Sequence, residues 1–190
     1  MKKVGILGGT FNPPHIGHLI CANEAFCALN LDEVRFMPNA IAPHKQLTND
    51  ATMLDRLRMV EIMVSPYPNF KVEPIEVERG GVSYTYDTML TLVNREPDVQ
   101  FYFIIGGDMI DSLHTWHKIH ELMKLVKFVG LKRPGSSSHS SFEVQMIDAP
   151  EIVLSSTMIR HRLANGGTLK FLLPEGVEAY IRKEGLYGTC

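Results

Sequence analysis

The chain is organised around a glycine-rich turn near its start, Gly8-Gly9-Thr10-Phe11-Asn12-Pro13-Pro14-His15-Ile16-Gly17-His18. Residues 3–7, just before the turn, form a short apolar run that is typical of a buried strand. After the turn, apolar residues recur at spacings of three and four on one face of a predicted helix, at Leu19, Ala22, Phe26 and Leu29. The glycine pair therefore lies where a strand turns into a helix.

This turn offers several groups that suit a phosphate ligand. The start of a helix presents backbone N–H groups without intrahelical partners and the positive end of the helix dipole. Gly8 and Gly9 lack a Cβ, so a ligand can lie against bare backbone. Thr10 adds a hydroxyl, and the imidazoles of His15 and His18 are expected to project to one side. These are the parts needed to hold a polyphosphate while one of its phosphorus atoms is attacked.

Two common nucleotide-binding loops do not fit the turn. A Walker loop needs a Gly-Lys-Ser/Thr tripeptide, which does not occur, and Asn12 stands where the dinucleotide fingerprint needs its third glycine. The alternative is a structural turn whose histidines only cap the helix or pack. Because two glycines, a threonine and two histidines fall within eleven residues, we interpret the stretch as a binding site.

The composition is that of an ordinary globular protein. The chain has 190 residues, 45% of them hydrophobic and 21% charged, and we expect one domain over residues 1–190. A net charge of −2 without a basic run gives no reason to expect binding to a nucleic acid polymer. Cys21, Cys27 and Cys190 form no Cys-x-x-Cys pair, which fits a reducing compartment. Without a signal peptide or an apolar run of about 20 residues, we expect a cytoplasmic protein and no membrane partner.

Predicted strands alternate with predicted helices, which indicates an α/β fold. We expect a Rossmann-like, doubly wound parallel sheet with a small helical part at the C-terminal end, including a helix over about 174–184. Val99–Ile105 is a nearly continuous apolar run and predicts a central strand. Further short strands are predicted at Ile75–Val77 and Ile152–Leu154, and Arg133–Ser141, rich in serine, predicts a surface loop.

Ligands of such sheets bind beyond the carboxyl ends of the strands. Three segments of this sequence meet that rule: the glycine-rich turn, Gly106-Gly107-Asp108 and Ser155-Ser156-Thr157. The last of these begins a predicted helix that also carries Arg160, so it offers hydroxyls, amides and a guanidinium to phosphate. The alternative for this segment is a helix N-cap followed by a surface arginine.

Both segments resemble signatures of the nucleotidylyltransferase superfamily. His15-Ile16-Gly17-His18 resembles its His-x-Gly-His motif, and Leu154-Ser155-Ser156-Thr157-Met158-Ile159-Arg160 resembles its second motif, Ile/Leu-Ser-Ser-Thr-x-Ile-Arg. Gly8-Gly9-Thr10-Phe11-Asn12-Pro13 with His15 looks like the nicotinate mononucleotide adenylyltransferase branch. The resemblance implies that His15, His18 and Arg160 are catalytic. The ATP site that we expect from it consists of Gly8, Gly9, Thr10, Phe11, His15, His18, Gly106, Asp108, Ser156, Thr157 and Arg160.

A second group of residues is expected to bind the pyridine nucleotide. A lone tryptophan is usually a packing residue, but the polar neighbours of Trp116 suit a half-open pocket wall. The resemblance implies that Trp116 stacks on the pyridine ring and that Asp108 contacts a ribose hydroxyl. It also implies a nicotinate site at the predicted helix start, formed by Tyr84, Thr85 and nearby amides.

Further polar residues are candidates for binding phosphate or a metal ion. Pro43-His44-Lys45 resembles a phosphate-contacting loop of the branch, although such charges are usually solvated, and Lys45 is favoured because it stays charged at neutral pH. His114, His117 and His120 recur every third residue along what would be one broad helix face, but no convincing set of partners completes a zinc site. We assign no protein metal ligand, and expect Mg²⁺ bound by phosphates and water.

The resemblance implies an enzyme that transfers the adenylyl group of ATP to nicotinate mononucleotide, yielding nicotinate adenine dinucleotide and pyrophosphate. The expected partners are ATP and nicotinate mononucleotide, with assembly into a homodimer left open. Other acceptors of the superfamily, phosphopantetheine or nicotinamide mononucleotide, are alternatives, as is a non-catalytic nucleotide sensor. A sensor has no need for two imidazoles at the α-phosphate.

Overall fold

Six parallel strands form one sheet in the part of the chain that the structure describes. The structure, a computed structural model, describes residues 1–41, 51–132 and 141–189, and of Asp108 only the backbone. The strands are β1 (Lys2–Gly9), β2 (Glu33–Pro38), β3 (Phe70–Val72), β4 (Val99–Gly106), β5 (Lys127–Lys132) and β6 (Val144–Asp148).

The strand order is β3-β2-β1-β4-β5-β6, so the chain crosses back over the first strand before building the second half of the sheet. The central pair, β1 and β4, brings Leu7 beside Ile104, and the register of β1 with β2 brings Gly9 beside Pro38. This order is that of a dinucleotide-binding Rossmann sheet, whose ligand lies at the carboxyl ends of the strands near the reversal of order. The predicted doubly wound parallel sheet is confirmed.

Helices cover both faces of the sheet. One buried cluster joins Leu19, Val60, Ile159 and Val177, and a second on the opposite face joins Met89 and Leu122 with residues of β4. Within the described residues the α-helices are α1 (Ile16–Leu29), α2 (Met53–Val64), α3 (Ile75–Arg79), α4 (Thr85–Arg95), α5 (Gly107–Ile110), α6 (Ile119–Leu125), α7 (Ser156–Ala164) and α8 (Glu175–Lys183). Helix α8 confirms the helix expected over 174–184. None of the described helices has the length and apolarity that crossing a bilayer requires.

Two predicted strands are wrong. Ile75–Val77 is not a strand but the beginning of α3, because Glu76 is buried at 3% exposure and bonded to Thr88 rather than alternating toward solvent. Acidic Glu76 and Glu78 also favour the N-terminal turn of a helix. Ile152–Leu154 forms no ladder with the sheet, and Val153 in its middle is 88% exposed. This segment is an extended connection between β6 and α7.

Candidate active site

The loop between β1 and α1 is packed from inside by an aromatic side chain. Phe11 has a positive φ of 50°, is 2% exposed, and covers Gly9 so closely that a Cβ there would lie 3.1 Å from its ring. A Cβ on Gly8 would likewise lie 3.3 Å from the ring of Phe103. The two glycines therefore leave room for the protein's own aromatic rings, a different reason for their presence from the bare ligand-binding backbone expected from the sequence.

The two histidines of the loop lie against each other. His15 is the N-cap residue of α1, and its backbone N–H donates to Nδ1 of His18 at 3.1 Å. The imidazole rings are stacked with their centroids 3.7 Å apart, and the Phe11 ring meets His18 edge-on at 4.9 Å. Gly17 permits this arrangement, since a Cβ there would lie 3.0 Å from Nδ1 of His15. The prediction that both imidazoles lie together is confirmed.

Burial gives the two imidazoles different properties. His15 is 6% exposed, and this burial lowers its pKa to about 4, so its ring is neutral at pH 7. His15 Nδ1 has no hydrogen-bond partner among the described residues. His18 is only half-buried, and because its Nδ1 accepts the His15 N–H, we infer that its Nε2 carries a hydrogen. His18 therefore carries a hydrogen-bond donor at Nε2.

The N-terminus of α1 is already partly occupied by the protein. The N–H of Ile16 donates to the carbonyl oxygen of Leu172 at 3.0 Å, although Leu172 lies far along the chain. This bond removes one of the backbone donors that the sequence suggested for phosphate. The segment before α8 thus supports the loop, which no sequence pattern had indicated.

The start of α7 lies directly against the same loop. Ser156 donates from Oγ to the carbonyl oxygen of Pro13 at 2.8 Å, and Arg160 donates from Nη1 to the carbonyl oxygen of Asn12 at 2.7 Å. Arg160 also donates from Nη2 to Oγ1 of Thr157 at 3.3 Å. The expected convergence of these two segments at the carboxyl edge is confirmed, and Arg160 is half-buried against the loop rather than a solvated surface arginine.

An aromatic wall stands across the same edge of the sheet. Trp116 is half-buried, and its ring packs edge-on against Phe103 and Phe128 at 5.9 and 6.0 Å. Tyr84, the N-cap residue of α4, is 40% exposed, and its ring lies 4.7 Å from that of His117. The start of α4 and the segment of Trp116 are therefore neighbours, as a shared pyridine site would require.

The three regularly spaced histidines do not share a helix face. The chain forms a 3₁₀ turn at Leu113–Thr115, and Lys118 then has a positive φ of 50° before α6 begins at Ile119. Consequently His114 bonds the carbonyl of Asp111, His117 contacts Tyr84, and His120 packs against Phe142. Among the described residues no group of three or more His, Cys, Asp or Glu side chains is arranged to hold a metal ion.

Some predicted site residues lie outside the description. His44 and Lys45 fall in 42–50, most of the serine-rich segment falls in 133–140, and only the backbone of Asp108 belongs to the described part of the chain. Gly106 ends β4 at the same carboxyl edge as Gly9. Thr85 is the first residue of α4, as predicted, so its backbone N–H lies in the first turn, where N–H groups have no partner within the helix.

Comparison with known proteins points to one family. The sequence profile of the cytidylyltransferase-like family matches residues 6–162. Proteins described as probable nicotinate-nucleotide adenylyltransferases are similar over nearly the whole chain. That of Geobacillus thermodenitrificans is 52% identical over 189 residues, covering 100% of this chain and 88% of the relative. That of Bacillus cereus (strain B4264) is 49% identical over 187 residues, covering 98% and 99%.

This chain belongs to the nicotinate-nucleotide adenylyltransferase family.

Solved structures agree with that family at the level of the fold. The Plasmodium falciparum nicotinic acid mononucleotide adenylyltransferase complexed with APC aligns with a TM-score of 0.82 at 21% identity, covering 100% of this chain and 99% of the other. The same protein complexed with NaAD aligns with a TM-score of 0.81 at 22% identity and the same coverage. The adenylyltransferase family to which the chain belongs thus shares this sheet and its helices.

Sequence reasoning missed a buried arginine of this adenylyltransferase. Arg56 on α2 is 0% exposed and donates to the carbonyl oxygens of Thr10 at 2.7 Å and Ala40 at 2.9 Å. Burial lowers the pKa of its guanidinium. Arg56 lies on the same face of α2 as buried apolar residues. A charged residue on the apolar face of a predicted helix could have indicated this buried contact.

It also missed a tyrosine that anchors the loop. Tyr187, which is 6% exposed, donates from its hydroxyl to Oδ1 of Asn12 at 2.5 Å across a separation of 175 residues. No local pattern marks this residue, since it lies in a short 3₁₀ turn after α8. Both sides of Asn12 are therefore held, its carbonyl by Arg160 and its side chain by Tyr187.

Proposed function

We propose that this chain transfers the adenylyl group of ATP to nicotinate mononucleotide, as the names of its relatives indicate for them. The products are nicotinate adenine dinucleotide and pyrophosphate, which places the reaction in NAD biosynthesis. The observation that supports it best is the meeting of the His15–His18 turn with Arg160 at the carboxyl edge of the sheet. Cationic and hydrogen-donating groups there suit a triphosphate.

The reaction needs no nucleophile from the protein. An oxygen of the 5′-phosphate of the mononucleotide forms a bond to the α-phosphorus of ATP, while the bond from that phosphorus to the bridging oxygen of the β-phosphate breaks. The electron pair leaves with pyrophosphate. Catalysis then consists of holding the two substrates in line and neutralising the charge that develops on the phosphoryl oxygens.

The two histidines divide this work in our proposal. The Nε2–H of His18, the less buried of the two histidines, donates to an oxygen of the α-phosphate. His15 is neutral and its ring stacks on that of His18, while its backbone N–H fixes the His18 ring by donating to Nδ1. The Nδ1 of His15 itself is buried beside Gly17. The ring of His15 keeps the same charge near pH 7, because burial lowers its pKa to about 4.

Donors around the loop take the leaving pyrophosphate. Arg160 uses part of its five N–H groups on Asn12 and Thr157 and retains others for phosphate. Thr10 and Thr157 supply hydroxyl donors in the same place, and Ser156, whose hydroxyl donates to Pro13, supplies its backbone N–H at the start of α7. The remaining ATP contacts that we propose are Gly8, Gly9, Phe11, Gly106 and Asp108.

The acceptor binds along the aromatic wall in this proposal. Trp116 presents a face to the pyridine ring, and Tyr84 and Thr85 at the start of α4 receive the nicotinate carboxylate, which the N-terminal end of a helix favours. His44 and Lys45 contact the phosphate. A negative carboxylate gains more from that helix end than a neutral carboxamide, which is the reason for proposing nicotinate.

The donors of the described site fit phosphate oxygens rather than a metal cage. No described cluster offers three acidic, histidine or cysteine ligands, so we propose that Mg²⁺ arrives held by the phosphates and water, as its reluctance to lose water favours. When bound it supplies positive charge to the polyphosphate. The protein's own part is to orient the chain of phosphates.

An acceptor assay tests the proposal. Purified protein receives ATP, Mg²⁺ and, in separate reactions, nicotinate mononucleotide, nicotinamide mononucleotide or phosphopantetheine, and pyrophosphate release is measured. We expect the highest kcat/KM with nicotinate mononucleotide. A higher value with either other acceptor contradicts the proposed substrate, and ATP binding without pyrophosphate release under any condition indicates a nucleotide sensor.

A further inference from the structure

Arg56 is a buried cation with an unusual set of partners. None of the carboxylates in the described part of the chain forms an ion pair with it, and its Nε has no hydrogen-bond partner there. Burying a guanidinium without a counter-charge is costly, so its contacts must be strong and well oriented. Those contacts are backbone carbonyls, which the planar fork of arginine can bridge.

The two carbonyls belong to neighbouring loops at the carboxyl edge of the sheet. Thr10 follows β1 and Ala40 follows β2, and Arg56 reaches both, with a third, longer bond of 3.4 Å to Oδ1 of Asn39. The loops also touch directly, because the N–H of Asn39 donates to the carbonyl of Gly9 at 3.0 Å. Arg56 thus fixes the distance between the loop of the histidines and the segment after β2.

The link continues from Ala40 to the start of α4. The N–H of Ala40 donates to Oγ of Ser83 at 3.1 Å, and the N–H of Ser83 donates to the carbonyl of Ile41 at 2.9 Å. The hydroxyl of Ser83 is in turn bonded to buried Glu76. Tyr84 comes next in the chain, so a continuous run of hydrogen bonds joins the loop that carries Thr10 to the helix start that we assign to the nicotinate end.

We propose that Arg56 is a positioning residue that, through Ala40 and Ser83, sets the spacing between the ATP half and the acceptor half of the site. This inference rests on the proposed function, because the two halves are those of adenylyl transfer to a pyridine mononucleotide. Arg56 is 0% exposed, so it acts on the substrates through the loops that it holds. Its effect is on alignment, and displacement of two reacting groups by about 1 Å is enough to cost about 100-fold in rate.

The first test is the variant Arg56→Lys, which replaces the planar guanidinium by an ammonium group and keeps the positive charge. An ammonium cannot bridge both carbonyls in a fixed geometry, so we expect kcat per folded molecule to fall by about 10- to 100-fold. The contacts between each substrate and its own half of the site are expected to remain. The Kd of a non-hydrolysable ATP analogue, measured by calorimetry without acceptor, is therefore expected to stay within about threefold of the original value.

A second variant tests the same link and keeps the proposal testable if Arg56→Lys does not fold. Ser83→Ala removes the other bond to Ala40 and is expected to lower kcat in the same way with the same preserved binding of the ATP analogue. In the double variant the two losses should combine to less than their product, because both act through Ala40. Arg35→Lys is the matched control: Arg35 is a half-buried arginine whose fork pairs with glutamates, and we expect lower stability with unchanged kcat per folded molecule.

Three results overturn the positioning role: an unchanged kcat in Arg56→Lys, a loss of ATP-analogue affinity as large as the loss of kcat, or losses that multiply in the double variant. Inactivity of the unmodified chain with ATP and nicotinate mononucleotide overturns both this inference and the proposed function. An active unmodified chain beside an unimpaired Arg56→Lys variant overturns the positioning role alone.

Discussion

At the scale of single residues, the environment of each imidazole decides what it can do. His15 and His18 are equivalent in the sequence, yet one ring is buried and neutral while the other is half-buried with a hydrogen on Nε2. The difference arises because the ring of His15 is packed away from water, whereas Nδ1 of His18 accepts the backbone N–H of His15. A donor with fixed orientation stabilises a developing oxyanion without reorganisation at the moment of reaction.

Replacing His18 by alanine should therefore impair turnover far more than binding. Removal of one oriented donor at a developing oxyanion costs about 100- to 1,000-fold in kcat, and we expect a loss of that size in pyrophosphate release. The Kd of a non-hydrolysable ATP analogue should change by less than about tenfold. His120→Ala is the control, since its ring packs against Phe142 away from the loop. Equal turnover of both variants would show that His18 is not catalytic.

Residue identities in the site were predictable where chemistry and spacing coincide. The His15–His18 turn and the Ser156–Arg160 segment could be recognised because each concentrates phosphate-binding groups at a helix start. The sequence did not show why position 9 is glycine. The positive φ of Phe11 turns its ring back over Gly9, where it leaves no room for a Cβ. The carbonyl contacts of Arg56 depend on two loops meeting, which no local pattern records.

At the scale of secondary-structure elements, an ion-pair network ties β2 to the turn between α4 and β4. Arg35 donates to both carboxylate oxygens of Glu96 at 2.7 Å, and to Glu33 and Glu73. Arg95 bonds Glu73 and Glu96 as well. Hydrogen bonds from Arg35 are the main reason that the pKa of Glu96 is lowered to about 2. Because the side chains of Arg35, Glu73 and Glu96 are only 11%, 4% and 23% exposed, the network contributes more than isolated surface pairs do, although Arg95 at its edge is 46% exposed.

Glu96→Gln should lower the free energy of unfolding by about 2 kcal/mol at pH 7. A carboxylate with a depressed folded pKa stabilises the protein above its unfolded pKa near 4.5, and this stabilisation is lost as the pH falls toward 2. Urea unfolding of both proteins at pH 7 and pH 3 should show the difference shrinking at the lower pH. A difference that stays constant between these pH values would contradict the account.

The control for that experiment is Glu61→Gln. Glu61 pairs with Arg58 one helical turn away, with side chains 43% and 60% exposed. Solvent screening limits such a pair to about 0.5 kcal/mol, so this variant should unfold at nearly the same urea concentration as the unmodified protein.

Elements with one dominant signal were predictable, and elements with mixed signals were not. The apolar run of β4 fits only a buried strand, and the spacing of apolar residues by three and four in α1 fits only a helix. Ile75–Val77 alternates like a strand over three residues, but Glu76 turns inward to a buried bond with Thr88, so the helix is stabilised by a tertiary contact. Val153 sits between two apolar neighbours yet faces solvent, because the sheet already ends at β6.

At the scale of the whole molecule, the site is assembled from both ends of the chain. Arg160 reaches Asn12 across 148 residues and Tyr187 reaches it across 175. Buried residues of α8, Val177 and Ile181, join the same core cluster as α1 and α2. Residues 167–189 are therefore part of the support of the site. One domain over 1–190 and assembly into a homodimer stay predictions.

Tyr187→Phe should weaken both the fold and the site. Removing the hydroxyl leaves the buried Oδ1 of Asn12 without this donor, which costs about 1–2 kcal/mol. Because Asn12 also bonds Arg160, we expect kcat to fall severalfold at a temperature where the variant is fully folded. Thermal unfolding and pyrophosphate release measure the two effects. Tyr67→Phe, at a 43% exposed tyrosine, should change neither, and a fully active Tyr187→Phe enzyme would argue against the link.

The tether from Leu172 and Tyr187 to the loop after β1 has a consequence for biosynthesis. A ribosome delivers the β1 loop first and these two residues more than 150 positions later. While the nascent chain is shorter than that, the paired strands can assemble, but the turn that carries the imidazoles has neither of its two distant supports. Catalytic competence should therefore arise only after residues 172 and 187 have left the ribosome, well after the sheet itself has formed.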